Sequence, residues 1–213
     1  MKLALFLSAT LLSSIAFAGN SNHGPHQPSI IASIAMDIDK DGEIDLAHLA
    51  TPEKNAQEDL DLWIKLSSDN EYFKVEAVVM DMNGGMAGMG TELTLNPAGS
   101  LQVYSYNDSI GRTRWEEYIT FAYRKGTVVL AGYTHNYRDT LDLSYINCDV
   151  NLLSRKGVVE SERGNGTFEV NKEDVLSLED VYSSALTSTY LEGYCVGTTS
   201  DMDEGDSAEV GHP

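Results

Sequence analysis

Hydrophobic and polar positions alternate with a period of two along most of this chain. The clearest run is Leu60, Leu62, Ile64 and Leu66, interleaved with Asp61, Trp63, Lys65 and Ser67, and it predicts a half-buried strand. Tyr72 to Met80 is rich in β-branched and aromatic residues and reads as the next strand. Further short strands are predicted at Glu92–Leu95, Leu101–Tyr106, Tyr118–Arg124 and Val128–Tyr133, with Lys125-Gly126 as a tight turn joining the last two. Leu141–Leu153 reads as one long strand or two around Cys148, and Val158–Glu160 and Thr167–Val170 flank a turn signal at residues 163–166. Two segments depart from the pattern. Thr51 ahead of Pro52 and Glu53 fits a helix start, and residues 172–186 allow one short helix. Many short strands without interleaved long helices predict a mainly β fold: an antiparallel β-sandwich or open barrel with one or two short helices.

The ends of the chain follow a different pattern. Lys2, an apolar stretch from Leu3 to Phe17 and the small–x–small triplet Ala16-Phe17-Ala18 predict a secretory signal peptide over residues 1–18. The apolar stretch is shorter than the ~20 residues that span a bilayer, so no membrane anchor is expected after cleavage. Residues 19–29, polar and rich in Gly and Pro, read as a flexible leader. Residues 198–213 read as an acidic disordered tail. A single β-rich domain over residues 30–197 remains, in a protein exported to the periplasm or the medium.

Charge narrows the partners. The chain has 33 acidic against 14 basic residues, a formal net charge of −19. Phosphate recognition needs clustered Lys and Arg, so nucleic acid is excluded, and the expected partners are cations or a basic protein surface. The chain has two cysteines, Cys148 and Cys195. In an exported chain they most simply form one disulfide, worth roughly 3–4 kcal/mol in the chain-entropy model.

One motif carries chemistry. Between Met36 and Leu46 stand Asp37, Asp39, Asp41, Gly42, Glu43, Ile44 and Asp45. Carboxylates two residues apart in a tightly turned loop converge on one point, as a hard cation wanting six to eight oxygens requires. Gly42 supplies the turn, Glu43 offers its backbone carbonyl, Ile44 is expected to anchor the loop in the core, and Asp45 closes the set. The helix–loop–helix version of this pattern ends on a bidentate Glu at its twelfth position, where this chain has His48. A distant carboxylate such as Glu53, or His48 itself, is left to complete the site. Without a cation the carboxylates repel one another, so the spacing points to calcium, at an affinity on the order of high micromolar to millimolar. The loop resembles those of small exported bacterial β-rich proteins of the FG-GAP or VCBS-like class. Residues 120–133 and Asn151-Leu152-Leu153-Ser154-Arg155 resemble later segments of that class more loosely. The resemblance implies calcium binding and a loop that leads into strands, and it implies no defined activity.

Other constellations point less sharply. No nucleophile elbow, His-Glu-x-x-His or phosphate loop is present. Glu116 and Glu117 are adjacent, and adjacent strand residues point to opposite faces. An exposed charge ladder is therefore expected rather than an acid–base pair. His135 reads as a surface or hydrogen-bonded residue. Tyr104, Tyr106, Trp115, Tyr118 and Tyr123 suit cross-strand packing or a binding face for a sugar or protein. Met82, Met86 and Met89 belong to a glycine-rich hairpin loop. The leading expectation is a non-enzymatic, calcium-stabilised binding or structural module. The alternatives are an inhibitor of a cationic cell-wall hydrolase and a carbohydrate-active enzyme.

Overall fold

In a computed structural model, residues 28–52, 59–68, 72–83, 87–170 and Cys195 are described. The signal peptide, residues 19–27 of the leader, the acidic tail and the helix expected over 172–186 lie outside them, as does the continuation of the helix start after Pro52.

Eleven strands among these residues form two antiparallel sheets. The first has the order β1-β2-β3-β4, with β1 Ile30–Met36, β2 Asp45–Ala50, β3 Asp59–Lys65 and β4 Tyr72–Met80. The second runs β11-β10-β9-β8-β7-β6-β5, with β5 Met89–Leu95, β6 Leu101–Asn107, β7 Thr113–Arg124, β8 Thr127–Asp139, β9 Tyr145–Asn151, β10 Lys156–Ser161 and β11 Gly164–Glu169. Every strand pairs with its neighbour in sequence, except where β4 passes to β5 and the chain changes sheets. The layout is that of a sandwich, and no barrel closes. One hydrophobic cluster takes side chains from both sheets, including Leu49, Leu62, Ile64 and Val75 from the first and Leu101, Ile119, Phe121, Tyr133 and Val150 from the second.

The period-two reading holds where it is clearest. Leu60, Leu62 and Ile64 are fully buried along β3. Asp61, expected on the solvent side, is also buried, because it pairs with Lys74 at 3.1 Å and accepts the Ala77 amide at 3.0 Å. A bulge opposite it, with Ala77 at φ 49°, turns that amide towards the carboxylate. Lys125 (φ 53°) and Gly126 (φ 86°) form the tight turn between β7 and β8, both left-handed as a two-residue hairpin of this type requires. Both strands run further than predicted, to twelve and thirteen residues. The mostly polar stretches Thr113 to Glu117 and Thr134 to Asp139, each with one aromatic residue, extend them, held by cross-strand pairing rather than by apolar alternation.

Residues 46–50, where no strand is predicted, form β2. Asp45, Ala47 and Leu49 face inward, and pairing to β1 and β3 on both sides outweighs the weak β-preference of the two alanines.

Cys148 and Cys195 form a disulfide with Cα atoms 5.7 Å apart. Both are buried, so the bond ties the chain at residue 195 to the inner face of β9. Replacing both (Cys148→Ser/Cys195→Ser) opens a loop of 47 residues. The expected outcome is a loss of roughly 3–4 kcal/mol, read as a lower urea midpoint than that of the oxidised chain.

Candidate functional site

The acidic loop is the connection of the β1–β2 hairpin, running from Met36 to its partner Asp45. Lys40 (φ 64°) and Gly42 (φ 93°) are both left-handed, and these two reversals fold residues 37–44 into a compact loop. A Cβ on Gly42 would meet no atom within 4 Å, so glycine is needed there for its backbone conformation and not for space.

Of the sequence-derived ligands, Asp37, Asp39 and Asp45 each place a carboxylate oxygen within 4.8 Å of the others. Asp45 is buried and doubly held: one oxygen accepts the Ile38 amide at 2.8 Å and the other the Ser67 amide at 2.8 Å. This carboxylate clamps the loop's entry to the chain just after β3. Asp37 accepts the amides of Asp41 and Gly42, both at 3.1 Å, and Asp39 also accepts the Asp41 amide, at 3.2 Å. Partial burial raises the Asp39 pKa against the pull of the Asp41 amide, and repulsion from Asp45, Asp41 and Asp37 adds to the rise. Asp41 stands outside the convergent group, its oxygens facing the Glu43 amide at 2.8 Å and the Ser67 hydroxyl at 3.4 Å. The Glu43 side chain is exposed.

Two expectations are corrected here. Ile44 does not anchor the loop: it is 62% exposed, while Ile38 is 4% exposed. Asp45 faces inward at the start of β2, and alternation turns its predecessor out. His48 lies three residues along β2, on the face opposite Asp45, where its Nδ1 shares a hydrogen bond with the Ser33 hydroxyl at 2.8 Å. Burial lowers its pKa. It is therefore not directed at the carboxylates. Glu53 lies outside the described residues.

The remaining candidates separate by face. Glu116 and Glu117 do point to opposite sides of β7, but they are not an exposed ladder. Glu117 is buried, with one oxygen accepting the Tyr133 hydroxyl at 3.1 Å and lying 3.8 Å from Nδ1 of His135. Its other oxygen has no hydrogen-bond partner among the described residues. His135 is buried beside it. Glu116 lies on the outer face, where it accepts the Asn136 amide at 2.9 Å and the hydroxyls of Tyr104 and Tyr118, both at 3.4 Å. Tyr104 stacks on Tyr118 with centroids 4.5 Å apart and on Tyr106 at 5.2 Å. Tyr123 packs against the core instead. Two hollows open on this outer face. One of about 620 Å³ has Tyr104, Tyr106, Arg114, Glu116, Asn136 and Asn147 in its lining, and Trp115 borders it. A smaller one, of about 300 Å³, has Gln102, Thr120, Gly132 and Asn151 in its lining.

Sequence reasoning missed the loop between β8 and β9. Asp139 accepts the amides of Leu141 at 2.8 Å and Asp142 at 3.3 Å, and pairs with Arg112. Burial pushes its carboxyl up, but the Leu141 amide, the Arg112 guanidinium and the Asp142 amide hold it below the usual range. Arg112 also reaches Asp142 at 2.7 Å, and its carbonyl accepts the Thr140 amide and hydroxyl. The loop thus braced carries Leu141 and Leu143 at 72% and 76% exposure, Leu143 with φ 64°. Asp139-x-x-Asp142-x-Ser144 carries a local turn signal. Arg112, nearly thirty residues earlier, gave none.

Compared with known proteins, the chain matches no family model, no curated protein and no solved structure. Among the described residues no helix is long and apolar enough to cross a membrane.

Asp45→Asn tests the clamp. It sets an NH2 group against one of the two backbone N–H donors, at Ile38 or Ser67. The expected loss is about 1–3 kcal/mol in chelator, read by thermal melting. The exposed Glu43→Gln is expected to leave the melting temperature within about 1 °C of wild type.

Proposed function

We propose that this chain is an exported, calcium-stabilised β-sandwich that acts as a binding or structural module outside the cytoplasm. The reading rests on the convergence of the Asp37, Asp39 and Asp45 carboxylates within 4.8 Å in a hairpin loop. The donors are all oxygens, which suits a hard cation and not a soft one. Asp45 is already positioned by two amides, so a cation would add to a formed loop; burial is the main cause of the raised Asp39 pKa, and a cation would offset the carboxylate repulsion that adds to it. With the ion bound, the edge hairpin β1–β2 would be pinned to the end of β3. The resemblance to FG-GAP and VCBS-like loops supports the same ion, and the disulfide suits an oxidising compartment. Calorimetric titration of calcium into the chain is expected to give saturable heat at high micromolar to millimolar concentration, with a rise in melting temperature. Both effects should vanish in Asp37→Asn/Asp39→Asn. Absence of heat and of thermal shift at millimolar calcium would reduce the loop to an acidic turn.

A second reading, an inhibitor of a cationic cell-wall hydrolase, is favoured by the braced loop 140–144. Two exposed leucines on a loop held by Arg112 and Asp139 offer pre-organised apolar anchors, and the net charge of −19 would steer a basic partner. Inhibition of lysozyme that weakens about tenfold or more in Leu141→Ser/Leu143→Ser would support it. Full lysozyme activity at a molar excess of the chain would remove it.

A further inference from the structure

We infer that the outer face of the seven-stranded sheet is a binding groove for an uncharged oligosaccharide. The proposal gives the module a ligand class on a surface apart from the acidic loop, and it does not depend on calcium.

Strand register builds the groove. Tyr106 on β6, Glu116 on β7, Asn136 on β8 and Asn147 on β9 stand opposite one another in a single cross-strand row. Alternation places them all on the side away from the core. The next row begins with Tyr104 and Tyr118, and the one beyond it holds Thr120 and Gly132. The larger hollow opens over the first row and the smaller over the third, so both lie on one face with the tyrosine pair between them. Thr120 is six residues from Arg114, which sets the span of the face at about 20 Å. The larger hollow, at about 620 Å³, falls within the usual size of a ligand site. In the smaller one Gly132 leaves the floor bare: a Cβ there would meet the Val150 carbonyl at 3.0 Å.

Charge selects the ligand. The larger hollow is lined by two arginines, Arg114 and Arg138, and two carboxylates, Asp108 and Glu116. The smaller has Arg124 against Asp149. Each hollow is balanced, in a chain where acidic residues outnumber basic ones 33 to 14. A cation would find stronger fields elsewhere on the molecule, and an anion would approach against the field of the whole chain. An uncharged ligand loses nothing to either.

The lining then selects a polyol. No Val, Leu, Ile, Met or Phe lines the larger hollow. Its apolar surface is aromatic, and the Tyr104 ring is fixed between Tyr118 and Tyr106. Tyr106 is in turn laid across Gly90, where a Cβ would fall within 2.8 Å of the ring. Rigid tyrosines give contact area at little entropic cost, and the C–H faces of a sugar ring suit such a surface. Around them Asn136, Asn147, Glu116 and the arginines offer planar donors and acceptors in the pairs that vicinal hydroxyls use. The Glu116 oxygens keep acceptor capacity beyond the single amide and two long hydroxyl contacts they receive.

The test is a titration of the full chain with neutral tetrasaccharides of β-1,4-linked glucose, N-acetylglucosamine, mannose and xylose, and α-1,4-linked glucose. It is followed by heteronuclear NMR and calorimetry, in calcium and again in EDTA. Saturable binding of at least one member is expected, with shifts centred on Tyr106, Asn136 and Asn147 and little dependence on salt. Asn136→Ala/Asn147→Ala is expected to weaken it about tenfold, the loss from two neutral hydrogen bonds, with the melting temperature lowered by only about 2–4 °C through loss of the Asn136 bond to Glu116. Tyr106→Ala, with folding checked by the same spectra, should weaken it further. No binding by any member, binding unaffected by the asparagine pair, or binding abolished by salt would each overturn the proposal. A failure in both buffers would leave the calcium loop's own titration untouched.

Discussion

Burial of alternate side chains between two sheets is the constraint on which the other features of this molecule depend. Leu60, Leu62 and Ile64 on one sheet and Leu101, Ile119, Phe121 and Val150 on the other are almost completely removed from water, each worth about 1.5–3 kcal/mol by area. Because strand side chains alternate strictly, seating this set inward decides where every intervening residue points. A slip of one residue in β7 would bring Glu116 inside and expel Ile119. The polar row on the outer face is thus specified by the apolar row on the inner one.

The same core sets the acidic loop. Met36 and Ile38 are buried on one side of the hairpin and Ala47 and Leu49 on the other, so the carboxylates between them are gathered into a short span. Asp45 belongs to both structures. It begins β2 as an inward residue, and its two oxygens satisfy backbone donors at Ile38 and Ser67 that would otherwise be unpaired. The loop's geometry is in this way held by the sandwich itself. An ion would relieve repulsion and stiffen an edge hairpin that pairs on one side alone.

Not every buried group serves the core. Glu117 and His135 lie in the cross-strand row that includes Cys148, with one Glu117 oxygen unpartnered among the described residues. Asp61 and Asp139 are also buried, each paired with a basic side chain and backbone amides. Such groups cost desolvation, and they fix local geometry where alternation alone would not. Asp61 sets the bulge in β4, and Asp139 sets the loop that displays Leu141 and Leu143.

By itself the sequence determined the class of the fold, most of its strands, the Lys125-Gly126 turn and the disulfide partners, because each follows from short-range periodicity or from a count of two cysteines. It also determined that the carboxylates of the acidic loop lie close together, since i, i+2 spacing around a glycine is a local property. Tertiary structure decided which of them converge. It admitted Asp37, Asp39 and Asp45, left Asp41 aside, turned Ile44 outward and carried His48 to the opposite face, because β2 begins at Asp45 and strand parity rules from there. It also decided that Glu117 is buried while its neighbour Glu116 faces a groove, and that Arg112 braces a loop almost thirty residues away. These are facts of cross-strand register, and register is set by how two sheets share one core, which no local window of sequence contains.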